Sequence, residues 1–197
     1  MGPDFPIILR FSQWKQQDYN ARLVETPEAL AAFLKPLSDA GVDIFHCSTR
    51  RFWEPEFDGS ELNLAGWTRK LTGKPTITVG SVGLDGEFLQ FMVDTDKVAK
   101  PASLEGLLRR LGDEEFDLVA VGRALLVDAE WAQKVREGRE AQVLPFSREA
   151  LSTLACPPER CLQARYPQAL PGTRCTDASR IARRSPASLG GWHAGGH

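Results

Sequence analysis

Apolar residues along the chain alternate between two kinds of pattern. Short, near-continuous apolar runs occur at Phe5 to Phe11, Val42 to Cys47, Thr76 to Val79 and around Leu118 to Val121. Runs of that length predict strands covered on both faces. Between them apolar residues recur at three- and four-residue spacings, the period of one helical face. Thr26, Pro27 and Glu28 supply an N-cap, a first-turn proline and an early acid, and Leu30, Phe33, Leu34 and Leu37 follow on one face, up to Gly41. Pro36 falls inside that pattern and is expected to bend or tighten its last turns. Further helices are expected over Leu62 to Leu71, over Ser103 to Leu111 with Ser103 as cap and Leu104, Leu107, Leu108 and Leu111 on one face, over 124–138, and as a short last helix over 147–154. Residues 84–100 carry no clear period and suggest a loop with a short helix or hairpin.

The rhythm is therefore β-α-β-α-β-α-β-α, which demands parallel strands joined by helical crossovers. Four such units make either a small open sheet or half of a (β/α)8 barrel. Only the last two strands end in glycine-containing turns, at Gly80 to Gly83 and at Gly122. In barrels of this type phosphate binds after strands 7 and 8. The placement points to strands 5 to 8, the C-terminal half of a TIM barrel.

The junction at Gly122 and Arg123 focuses the candidate chemistry. A glycine there lets backbone N–H groups approach a ligand closely, and a helix start favours an anion because its first N–H groups lack partners. Arg123 adds a fork of donors suited to phosphate. The plainer alternative is a tight turn at Gly122 beside a solvated arginine.

Composition divides the chain. Residues 1–154 hold 18 Lys and Arg against 24 Asp and Glu, whereas 155–197 hold six Arg, no Lys, two acids and five prolines. The break marks a half-barrel part over 1–154 and a low-order Arg/Pro/Gly-rich tail over 155–197. A net charge of −2 supplies no global basic field for nucleic acid, and no apolar run approaches the ~20 residues of a membrane span. The N-terminus has no basic, signal-like segment, and a cytoplasmic, reduced setting is the simplest fit to four scattered cysteines, of which Cys47 lies in an apolar run. Cys156, Cys161, Cys175, His193 and His197 follow no standard zinc spacing, so no metal site is expected.

Four segments, Ile8 to Ser12, Gly41 to Ser48, Thr78 to Leu84 and Asp117 to Asp128, follow one another in an order that resembles the second half of the Old Yellow Enzyme family, the NADH:flavin oxidoreductases. Those are FMN-binding (β/α)8 barrels that reduce activated C=C bonds with NAD(P)H as hydride donor. The resemblance spans about residues 4–154. It implies that Arg10 matches the arginine facing the N1/C2=O side of the flavin, where a cation stabilises developing negative charge. It also implies that Gly80, with Val79, Ser81 and Val82 around it, matches the turn approaching the FMN phosphate, and that Gly122 and Arg123 match the phosphate-binding pair. The family's substrate-activating pair and its proton-donor tyrosine have no counterpart in this chain, so no catalytic residue is assigned. His46, the one histidine in residues 1–154, is expected to be a packed core or barrel-interior side chain.

The resemblance thus implies the FMN-binding portion of an oxidoreductase for enone-like small molecules, cut off from its catalytic N-terminal half and binding FMN weakly or not at all by itself. The alternative is a catalytically inactive fragment or interaction module that self-associates through open barrel edges, giving a homo-oligomer. The loop carrying Arg50, Arg51, Phe52, Trp53 and Phe57 fits a substrate-pocket wall, packing against a missing half, or an oligomer contact; Gln13 and Trp14 pose the same question.

Overall fold

A computed structural model of the chain describes residues 2, 5–15, 18, 20–86 and 98–151. The chain divides into a unit spanning Met1–Ala155 and a second spanning Cys156–His197. The second unit, with the cysteines and histidines of the tail, lies outside the described residues, as does most of the unclear stretch at 84–100.

The first unit is α/β. Strands β1 (Ile8–Ser12), β2 (Ile44–Ser48), β3 (Thr76–Val79) and β4 (Leu118–Val119) form one sheet in the order β1-β2-β3-β4. All three pairings are parallel, with Arg10 opposite His46, Ser48 opposite Val79 and Ile77 opposite Leu118. β4 is shorter than its apolar run, but main-chain bonds to β3 continue on either side of it, from Asp117 N to Thr76 O (3.1 Å) and from Ala120 N to Thr78 O (2.8 Å).

Helices α1 (Pro27–Asp39), α2 (Leu64–Thr72) and α3 (Glu105–Gly112) lie between the strands in sequence. The start of α1 is as expected: Thr26 Oγ1 accepts from Ala29 N at 3.2 Å, with Pro27 in the first turn. Pro36 sits inside the helix, which runs on to Asp39. Asn63 caps α2 through Gly66 N (2.9 Å), and Gly73 ends it at φ +66, a left-handed conformation natural to glycine. Two readings of α3 need correction. It begins at Glu105 rather than at Ser103, whose hydroxyl accepts from Glu105 N at 3.2 Å, and Leu108 is 54 % exposed rather than part of the inner face.

The single helix expected over 124–138 is two, α4 (Arg123–Val127) and α5 (Trp131–Arg136). Asp128 breaks it. Its backbone is extended, and its Oδ1 accepts from Glu130 N at 3.1 Å, a local bond that competes with helix continuation. Its Oδ2 accepts from buried Lys134 Nζ at 2.7 Å and from Leu144 N at 3.2 Å. Of the last expected helix, over 147–154, the described part holds a 3-10 turn at Arg148–Leu151.

Strand alternation divides the sheet into unequal faces. Phe45, Cys47, Thr76 and Thr78 are fully buried, as are Leu30 and Leu34 of α1 and Leu64 and Thr68 of α2. Phe11 joins this layer, edge-on to Phe45 at 6.2 Å and 5.7 Å from Phe33. Fully burying each Leu or Phe contributes about 1.5–3 kcal/mol. The alternate positions, Ile8, Arg10, Ile44, His46, Ser48, Ile77, Val79 and Leu118, occupy the other face, where Ile8 is 53 % and Leu118 51 % exposed. The strands are thus not covered on both faces, as their apolar runs predicted. Among the described residues, no helix is long and apolar enough to cross a membrane.

Candidate binding site at the C-terminal strand ends

Parallel strands all end on one side, and loops leaving those ends are the usual seat of ligands in α/β sheets. Here the ends of β2, β3 and β4 surround a cavity of about 170 Å³. Val79, Gly80, Ser81, Gly122 and Arg123 line it, so five of the six residues singled out from the sequence come together. Arg10 does not line it. It sits on the uncovered face of β1, where its Nη2 donates to Ser48 Oγ at 3.2 Å.

The turn after β3 is held by the loop after β2. Thr49 Oγ1 donates to Val79 O at 2.5 Å, Phe52 N donates to Gly80 O at 3.1 Å, and Ser81 Oγ lies 3.1 Å from Arg50 O. Gly80 has φ +141, and a Cβ there would come within 2.8 Å of both Thr49 O and Thr49 Oγ1. Protein packing alone therefore requires glycine at 80. Gly122 differs: φ is −105, and a Cβ there would meet no atom of the described residues within 4 Å. The space beside Gly122 is open, so a group can approach that backbone closely.

Arg123 links the two turns. Its Nη2 donates to Gly86 O at 2.6 Å and lies 3.4 Å from Ser81 Oγ, while the guanidinium sits 5.6 Å from the centre of the Phe146 ring. It is not the solvated side chain of the plainer alternative; it anchors one wall of the cavity. Trp14, Thr49 and Arg50 also line the cavity. Sequence reasoning had Trp14 and Arg50 among open candidates and missed Thr49, whose signal is its position one residue beyond β2.

The aromatic loop mostly turns away from this cavity. Phe52 and Phe57 are core residues, and Phe52 and Trp53 border a separate, shallow groove of about 970 Å³ beside α2 and α3. Of the expected substrate-wall residues in that loop, only Arg50 lines the strand-end cavity.

Titratable groups near the sheet are tuned by burial. Burial, then the Arg10 guanidinium, lowers the His46 pKa and favours a neutral imidazole, whose Nε2 is buried with no hydrogen-bond partner among the described residues. Burial pushes the Cys47 thiol up to about 12, so it stays protonated and unreactive at neutral pH. Gln13 is buried and donates to Val24 O (2.9 Å) and Glu56 Oε1 (3.0 Å). Burial raises the Glu56 pKa despite the Gln13 hydrogen bond and nearby Arg22. A carboxyl with a raised folded-state pKa adds stability that is full below the unfolded value, near 4.5, and is lost as pH rises through the folded value. Glu56→Gln should therefore flatten the pH dependence of the urea midpoint above pH 4.5 and narrow the gap between acidic and neutral conditions. An unchanged pH profile would remove Glu56 from that role. Among the described residues, no group of three His, Cys, Asp or Glu is placed to hold a metal ion.

No family model matches the chain. In sequence it is similar to an NADH oxidase of Thermoanaerobacter brockii, 29 % identical over 151 residues. That match covers 73 % of this chain but only 20 % of the relative's length. Among solved structures it is similar to morphinone reductase at a TM-score of 0.41 and 18 % identity, covering 66 % of this chain and 29 % of that one.

Proposed function

We propose that residues 4–154 form the FMN-binding part of an NAD(P)H-dependent flavin oxidoreductase of the Old Yellow Enzyme type, with β1 to β4 as strands 5 to 8 of a (β/α)8 barrel. The carrying observation is the convergence of the β3 and β4 turns on one cavity, with open space at Gly122 and Arg123 at its wall. The similarity to an NADH oxidase supports a nicotinamide as reductant.

The residues fit the phosphate end of such a cofactor. A cavity of about 170 Å³ lies below the ~300 Å³ at which small-molecule pockets begin, so it suits a phosphate-sized group rather than a whole flavin. Main-chain groups around Gly122 and the Arg123 guanidinium would hold that group. Arg10, on the uncovered face, provides a cation for the ring. Held there, FMN would supply the hydride-transfer chemistry between NAD(P)H and an activated C=C bond. Within this chain no residue is assigned to activate the substrate or deliver a proton.

Phosphorus NMR of FMN titrated with the purified chain tests this reading. Weak, saturable binding is expected, with inorganic phosphate competing. Arg123→Ala should lower the affinity by about 1.5–3 kcal/mol, the worth of a hydrogen bond to a charged group. Circular dichroism confirms that the variant is folded. Affinity equal to that of the parent chain would remove Arg123 from the site, and an FMN signal indifferent to the protein would remove the flavin reading. The exposure of Ile8 and Leu118 favours a second reading, an interaction module without turnover of its own. NAD(P)H-dependent reduction of an enone by the isolated chain would exclude that second reading.

A further inference from the structure

Among the described residues the sheet has two open edges, β1 and β4, and its four strands run in the same direction in sequence order. A twofold rotation about an axis along the strands sets β4 of one copy beside β1 of the other, in parallel. The same rotation sets the second β4 beside the first β1. Both edges are thereby paired by a single symmetry operation, and the ring closes. Two copies give eight strands, the number whose closed interior is just filled by side chains.

The side chains agree with that closure. The face that would turn inward carries one apolar side chain from each strand, with Ile8 level with Ile44 at one height and Ile77 level with Leu118 at the next, the height that also holds Arg10 and His46. Within that face, exposure is greatest on the two edge strands. Ile8 and Leu118, on the two edge strands, are more than half exposed, whereas Ile44 and Ile77 in the middle strands are half-buried. Face-to-face stacking of two sheets would leave both edges unpaired, a liability that parallel edge strands seldom carry uncovered. We propose that a second copy of this chain occupies the open side, β4 pairing with the partner's β1 at both junctions to close an eight-stranded parallel barrel. Each closed barrel would present two strand-end cavities at one mouth. The inference rests on strand topology and exposure alone, so it survives or fails separately from the flavin assignment.

The full 197-residue chain is tested by light scattering at tens of micromolar, with hydrogen exchange on the same sample. The expected mass is twice 21.8 kDa, falling on dilution, with β1 and β4 amides slowing in exchange as the dimer forms. Ile8→Lys and Leu118→Lys should each give the single-chain mass with circular dichroism retained, because both side chains are already largely exposed within one copy. Leu108→Lys, on the exposed side of α3, should leave the mass doubled. A single-chain mass for the parent protein would overturn the proposal. So would a dimer lost with only one of the two edge variants, which indicates pairing through one edge. Edge amides that exchange as fast in the dimer as in the monomer would indicate stacked faces, and masses growing beyond the dimer would indicate pairing that does not close.

Discussion

Arg110→Ala is expected to lower folding stability by about 3–5 kcal/mol, the cost of leaving a buried partner charge unpaired. Arg110 is 8 % exposed, and its Nε and Nη2 each donate to a Glu115 carboxylate oxygen at 2.5 Å. It also donates to Phe52 O and Glu61 O, both at 2.9 Å. Glu115 Oε1 in turn accepts from Asn63 N at 3.0 Å, and Asn63 Nδ2 donates to Phe52 O at 2.7 Å and Thr78 Oγ1 at 3.2 Å. Removing the guanidinium takes the donor from Glu115 Oε2 and from Glu61 O, leaves Phe52 O and Glu115 Oε1 with Asn63 alone, and leaves an uncompensated carboxylate. Arg110→Met restores much of the volume but none of the donors, so it should remain strongly destabilising. Urea unfolding followed by circular dichroism measures both. A loss below about 1 kcal/mol for Arg110→Ala would show that water replaces the network at little cost.

The second large effect is expected at Gly80, where alanine should cost about 2–6 kcal/mol. Two terms add. A φ of +141 belongs to a region that side chains avoid, worth about 1–3 kcal/mol, and the new methyl would overlap the Thr49 carbonyl at 2.8 Å, worth a similar amount when the neighbour is backbone. Thr49 cannot move freely, because its hydroxyl holds Val79 O. At Gly122, by contrast, an alanine methyl would point into open space. Melting curves of the two variants side by side provide the comparison, and equal losses would contradict the distinction between a glycine needed for packing and one beside a vacant pocket.

That distinction also shows what the sequence could reveal. The strand-turn-helix units were legible because apolar runs and helical spacing are local signals, and Thr26 with Pro27 marked a helix start. Gly80 and Gly122 were legible as a pair because each directly follows a strand region. Their different reasons were not, since Gly80 answers to Thr49, thirty-one residues away in the chain. The break at Asp128 escaped notice because an apolar period continues through it, while a carboxylate bonding its own backbone overrides that period. The network of Asn63, Arg110 and Glu115 is likewise invisible in one dimension. Gly66, inside α2, is the trace it leaves, for a Cβ there would lie 2.7 Å from Glu115 Cγ.

Asp128 has a wider consequence. One carboxylate gathers Lys134, Glu130 N and Leu144 N, and Phe146 beyond them exchanges two main-chain bonds with Ala99 at 2.8 Å each. The stretch from 128 to 146 is fastened along its length, by that acid at its root, by buried Trp131 and Val143, and by fully buried Phe146 at its tip. Because Phe146 carries the face against which Arg123 rests, loosening this stretch would disturb the wall of the cavity and the core together.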